Sequence, residues 1–300
     1  MKTKTTKRVL TGIITGLVLE LGVLSYIGLQ RYNEQYIKQD SGIVAPRNYK
    51  DIELTTANRE LLDFPTTING IGSVRKYLNP KAKHVLVHLR QLHSNPKITL
   101  EQQIQVHCVQ TQILNCLEDL QTKNYYSYYV EGHDLAKHAF YEKYSIPEYT
   151  YLKDNLLTSA ADKLAKENKI TLKIGEDAEL NIWSEILNSD ETKKKECAEV
   201  IYNKRELFVL DQIVKNKDTL GISIYGAGHC FGGVNSFGDS YEKGTRTEDN
   251  YDSISVWNNN HPEEQFSLIE LTPKNYENIT NDELVNAFTI WREYRKAHQY

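Results

Sequence analysis

The sequence predicts an α/β domain: a central, mostly parallel sheet flanked by helices, preceded by one N-terminal transmembrane helix. Three observations predict it. Short β-branched and aromatic runs end in Gly, Asn or acidic residues. Longer stretches with helical periodicity lie between them. The resulting strand, helix, strand order requires crossover connections, and hence parallel pairing.

The elements follow in chain order. Basic residues Lys2, Lys4, Lys7 and Arg8 precede an apolar run from Val9 to Leu29. At roughly 1.5 Å per residue such a helix reaches about 30 Å, the thickness of a bilayer core. Its internal charge, Glu20, costs about 2–3 kcal/mol, which the surrounding Leu, Ile and Val outweigh. No small-x-small cleavage site follows. The reading is an uncleaved signal anchor over residues 9–29, with residues 1–8 cytoplasmic and the remainder extracytoplasmic as a single-pass membrane protein. Residues 30–80 are polar and punctuated by Asn, Thr and Pro, a juxtamembrane segment leading into a domain over 81–300.

Within that domain Lys83 to Leu89 reads as a first strand, stopped by Ser94-Asn95-Pro96. Thr99 and Gln102 have capping-box spacing, and Leu100, Ile104, Cys108, Thr111 and Leu114 share one face of the helix that follows. A second strand begins near Tyr125 and ends at Glu131-Gly132. A helix over roughly Pro147 to Asn168 leads to a short strand ending in Gly175-Glu176-Asp177. A long helix over 192–216 precedes the strand Ile222–Tyr225 and the loop Gly226-Ala-Gly-His229-Cys-Phe-Gly-Gly233. A strand near Phe266 and a helix over 281–299 close the chain.

The formal charge of −4 and pI near 6.2 give no basic field for nucleic acid. The cysteines, Cys108, Cys116, Cys197 and Cys230, lack metal-knuckle spacing. Cys108 and Cys116, about 12 Å apart along one helix, are too far apart to bridge, and read as core thiols.

The polar candidates share one kind of address. His88 and His93 stand near the end of the first strand, Glu131 at the end of the second, Glu176 and Asp177 after the third, His229 after the last. In a parallel sheet those ends gather on one edge, so the side chains converge in one crevice. Histidine and carboxylate together either hold a divalent ion or share general acid–base work near neutral pH. On the long helix the stripe Cys197, Val200, Ile201, Leu207, Phe208 and Val214 contains Lys204 and Asp211, with Arg205 at its margin. A cation so placed, Arg205 or Lys204, suits a developing anion.

In this order, a His at a strand end, then YVEG, then a helical KRE, then YGAGH, the chain resembles the superfamily joining erythromycin esterases, haem-binding ChaN-like proteins and Tiki/TraB proteins. The resemblance runs over roughly residues 83 to 235. It matches His93 to the first histidine, Glu131 to the glutamate, Arg205 to the arginine, Gly226 with His229 to the second Gly-x-x-His, and Glu176 to a Gly-x-Glu-Asp segment. It implies an extracytoplasmic hydrolase cleaving a peptide or ester bond of a peptide or small-molecule substrate, by one of two routes. In one, His93, Glu131 and His229, with Glu176 as a further ligand, hold Mn, Co or Zn that activates water. In the other, metal-free, a histidine is the base and Arg205 stabilises the oxyanion. ChaN- and TraB-like members imply a non-catalytic alternative, a haem- or ligand-binding or signalling protein. The chain departs from the pattern at Arg90, where glycine is expected, and Gln91, where esterase-like members carry glutamate. Arg90 argues against a metal and for an anionic substrate, which makes it, with Lys204, a candidate substrate-binding residue.

Overall fold

The structure, a computed structural model, describes residues 36–38, 43–46, 53–92, 99–131, 160–188, 204–226, 229, 231–232 and 253–276. The anchor expected over 9–29, His93, Cys197, Cys230 and the helix expected over 281–299 lie outside the described residues. Among the described residues no helix is long and apolar enough to cross a membrane.

The run predicted as the first strand forms the buried centre of the sheet because both of its faces are covered. In chain order the elements are β1 (Tyr36–Lys38), β2 (Ile43–Pro46), α1 (Thr56–Asp63), β3 (Ile71–Tyr77), β4 (His84–Gln91), α2 (Leu100–Thr122) and β5 (Ser127–Val130). They continue as α3 (Ala160–Lys166), β6 (Thr171–Ile174), α4 (Ala178–Asn188), α5 (Arg205–Lys215), β7 (Leu220–Gly226), α6 (Ser253–Asn260) and β8 (Phe266–Pro273). Six strands in the order β3-β8-β4-β7-β5-β6 make a mixed, mostly parallel sheet, which β2 and β1 extend beyond β3. The five strands β8, β4, β7, β5 and β6 run parallel to one another, and β3 is antiparallel to β8. The expected α/β fold with its helix-flanked, mostly parallel sheet is thus what the chain forms.

From β4 the chain winds outward to β5 and β6 with α2 and α3 on one face. It then returns with α5 and α6 on the other face, placing β7 and β8 on either side of β4. Reversing both direction and face keeps the crossovers the same hand. Period-two alternation divides the side chains between two cores. Val85, Val87, Leu89, Tyr128, Val130, Ile222 and Ile224 pack under α1, α2 and α3. Leu86, Tyr129, Tyr225, Phe266 and Leu268 pack under Val209, Leu210 and Ile213 of α5 and Ile254 and Trp257 of α6.

The segment expected to be a polar lead-in, residues 30–80, belongs in part to this body. Leu61, Phe64, Ile68, Tyr77 and Leu78 are buried, and Lys76 donates to Leu62 O at 2.8 Å and Phe64 O at 2.5 Å, which caps the carboxyl end of α1. Its polarity misled because the segment's buried lysine and asparagines are satisfied internally. Asn58 donates to Asn79 O at 2.8 Å and accepts from Ser267 Oγ at 2.8 Å.

The expected capping box of α2 is present, Gln102 N donating to Thr99 Oγ1 at 3.2 Å and Thr99 N to Gln102 Oε1 at 2.8 Å. The buried stripe differs from the expected one: Ile104, Val109, Ile113, Cys116, Leu117 and Leu120 are buried, while Thr111 is exposed. Thr111 instead donates its hydroxyl to His107 O at 2.9 Å. Cys108 is half-buried, and Cys116 is a buried free thiol.

The stripe of α5 is likewise rotated from the expected one. Arg205, Glu206, Val209, Leu210 and Ile213 face inward. Gly221 allows this close approach, since a Cβ there would stand 2.5 Å from Ile213 Cδ1. Asp211, expected inside the stripe, pairs at the surface with Lys215 at 2.5 Å. Lys204 is exposed.

Candidate active site

Because α5 precedes β7 and runs against it, its amino end reaches the rim formed by the carboxyl ends of β5, β6 and β7. Arg205 and Glu206 open the helix there, and both are buried. Glu131 follows β5 directly, with its N–H held by Ile224 O of β7 at 3.2 Å. Glu176 follows β6 by two residues. His229 stands three residues past β7, its N–H donating to Gly226 O at 3.1 Å.

These five side chains form one hydrogen-bonded network. Arg205 Nη2 donates to Glu131 Oε1 at 2.7 Å, and Arg205 Nε to Glu176 Oε1. His229 Nε2 lies 3.2 Å from Glu131 Oε1, and its Nδ1 lies 3.1 Å from Glu206 Oε1. Glu131 Oε2 accepts from Gly226 N at 2.5 Å, and Glu176 Oε2 accepts from Asn181 Nδ2 at 2.7 Å. Residues nearly a hundred positions apart in the chain thus meet at one rim, and side-chain exposure is at most 10% for Glu131, Arg205, Glu176, His229 and Glu206.

The electrostatics follow from this packing. Burial pulls the Arg205 guanidinium down, but Glu176 and Glu131 outweigh it and hold its pKa above the ordinary value. Burial also works against the His229 imidazolium, yet Glu131 and Glu206 raise it to about 8. Tyr225 is pushed well above its usual range by burial and then by Glu176 and Glu131. It stays a neutral phenol and donates to Gly175 O. Its ring edge packs on His229, centroids 4.9 Å apart.

Glu131, Glu176, Arg205 and His229, all singled out from sequence, are therefore together. His93 lies outside the described residues. Arg90 occupies the register position beside Tyr225, but its guanidinium lies over the Tyr276 ring, 4.4 Å from the centroid. Asp177 caps α4, its Oδ1 accepting from Glu179 N at 2.8 Å and Leu180 N at 3.2 Å. Glu206 was missed. Its signal is the spacing 206, 209, 210, 213, which places it in the buried stripe of α5.

A resident divalent ion would need open donor atoms at this rim. Both oxygens of Glu131, both of Glu176 and both ring nitrogens of His229 are already engaged, and Arg205 occupies the position between the carboxylates that a cation would take. Among the described residues no group of three or more His, Cys, Asp or Glu is arranged to hold a metal. These residues fit a fixed guanidinium and not a divalent ion.

No family model, no curated protein and no solved structure matches the chain.

Proposed function

We propose that the chain is a metal-free hydrolase of the erythromycin-esterase type, cleaving an ester or peptide bond outside the membrane that residues 9–29 anchor it to. The observation that carries this reading is the buried Glu131–Arg205–Glu176 and Glu131–His229–Glu206 network at the strand ends. Each buried charge costs several kcal/mol that apolar packing would avoid, so stability alone does not account for five of them together.

In acyl hydrolysis water adds to the carbonyl carbon, the carbonyl oxygen gains charge, and the leaving atom takes up a proton. His229 is the proton donor, held as imidazolium near neutral pH by its two carboxylates. Its Nε2–H is directed at Glu131 Oε1, an oxygen that Arg205 also claims, so an arriving acceptor competes with a shared partner. Arg205 orients Glu131 and contributes fixed positive charge toward the developing oxyanion. By the resemblance, His93 takes the proton from water.

Purified full chain would be assayed on aryl esters and short peptides, with and without a chelator. His229→Gln and Glu131→Gln should each lose about a hundredfold or more in kcat/KM, with the chelator without effect. Wild-type rates in both variants would overturn the site assignment. Alkaline carbonate extraction checks the anchor: the full chain should stay with the membrane, and a chain lacking residues 1–29 should be released.

A further inference from the structure

The rim continues past His229 onto β4 and β8. Arg90 is the penultimate residue of β4 and stands in register with Tyr225 of β7, whose ring edge packs on His229. Glu131 lies one strand further on, its N–H held by Ile224 of β7. With strands about 4.8 Å apart, the Arg90 backbone is about 10 Å from that of Glu131. Alternation puts Arg90, Tyr225 and Glu131 on one face of the sheet. His88, two residues earlier on that face of β4, is at 0% exposure, whereas Arg90 is half-buried, so this face of the strand opens at the arginine.

The guanidinium rests on a fixed platform. Its carbon is 4.4 Å from the centroid of the Tyr276 ring. Tyr276 is pinned just past β8: its N–H donates to Pro273 O at 3.2 Å, and Gln105 Nε2 of α2 donates to Asn275 O at 3.2 Å and Tyr276 O at 3.0 Å. Asn275 N donates to Gln112 Oε1 at 3.0 Å. Stacking uses the flat face of a guanidinium, while its five N–H donors lie in the plane, where a carboxylate is met edge-on by two of them. Glu270 belongs to the pleat beneath, beside His88. Burial lowers the pKa of His88, Glu270 opposes this, and the charges of Arg90 and His229 lower it further, so both cations lie within through-space reach of one buried ring.

We propose that Arg90, on its Tyr276 platform, sets the specificity of this site by binding a carboxylate carried by the substrate, roughly 10 Å along the rim from the reacting bond. The inference rests on the hydrolase reading and names its substrate class, an anionic ester or peptide. Arg90 meets the charged end, while Glu131, Arg205 and His229 face the bond.

The test uses the full chain and two ester series: monoaryl esters of dicarboxylic acids from succinate to suberate, and acetyl esters of hydroxyaryl carboxylic acids. The first carries the charge on the acyl side and the second on the leaving side; each acid is compared with its neutral methyl ester. Wild type should prefer the acid in one series by roughly tenfold or more in kcat/KM, mainly through KM. Arg90→Met should collapse that ratio toward one, and Arg90→Lys, which keeps the charge without the fork, should lower it severalfold. No preference for the acid in either series, or a ratio unchanged in both variants, overturns the inference. A second arm needs no turnover: millimolar glutarate, at ionic strength held with chloride, should raise the Tm of wild type but not of Arg90→Met, with dimethyl glutarate inert in both. If wild type hydrolyses nothing, the hydrolase reading falls and this arm decides the Arg90 site; no shift, or an equal shift in both chains, overturns it.

Discussion

Arg205→Met tests whether the rim is held by one cation between two carboxylates. The guanidinium donates to Glu131 and to Glu176, and all three side chains are at least nine-tenths buried. Removing it leaves both carboxylates in a site built for their neutralisation, and loss of one partner from a buried pair costs about 3–5 kcal/mol. At roughly 2–4 °C per kcal/mol for a domain of this size, Tm should fall by roughly 6–20 °C. The sign of the pH dependence follows from the same geometry. Without Arg205 the two buried carboxylates lose their shared counter-charge, which favours proton uptake by the folded variant, so its stability falls as pH rises. The deficit in the variant should therefore be smaller near pH 5 than near pH 8. Adding Glu176→Gln to Arg205→Met should recover part of the loss, because the substituted groups share one network. Thermal unfolding of wild type, both single variants and the double variant across that pH range is the assay. Additive effects, or a deficit that grows toward acid pH, would refute the reasoning.

Four further outcomes follow from named contacts. With His229 raised to about 8, log kcat/KM should fall as pH rises through about 8, because the imidazolium is the donor; a rate that rises there instead would make His229 a base. The stability it contributes is fully present below the unfolded pKa of about 6.5 and is lost as pH rises through about 8, which chemical denaturation of wild type against His229→Gln would read. Gly175→Ala should destabilise by about 1–3 kcal/mol and cut activity, since a Cβ there would stand 2.8 Å from Val130 N and 2.9 Å from Val130 O. Relief requires β6 to shift, carrying with it Glu176 and the acceptor of Tyr225; a Tm within a degree or so of wild type would count against this packing. Lys76, lowered to about 8 by burial, should make its contribution to stability grow as pH rises from about 8 toward its unfolded value of about 10.4, because the unfolded chain binds more protons in that window. Lys76→Met should abolish that slope in urea titrations while losing the cap on α1.

Much of the fold was legible because its signals are local. The run Lys83–Leu89 reads as a strand, and Thr99 with Gln102 announces a helix start whatever lies around it. Two helical faces were misplaced for an equally definite reason. Period 3.6 applied to mixed residues admits more than one stripe, and the partner surface selects among them. Thr111 went to solvent, while Arg205 and Glu206 went inward because Gly221 lets α5 settle onto β7. The early segment was misjudged because internal partners for Asn58 and Lys76 cannot be seen in composition.

For the site, the chain order alone put Glu131, Glu176 and His229 at strand ends and Arg205 on the long helix before the last of them, and a parallel sheet made the convergence of the strand ends foreseeable. Tertiary structure decided what they do to one another. Placing β7 between β4 and β5 brings His229 to Glu131. The rotation of α5 delivers Glu206 to the second ring nitrogen and puts a guanidinium between Glu131 and Glu176. It also set Glu270, His88 and Ser223 side by side, although they come from three distant segments. The physical reason is that periodicity and capping act over a few residues of chain. Charge pairing and burial act through space, and they depend on a strand order that local patterns do not encode.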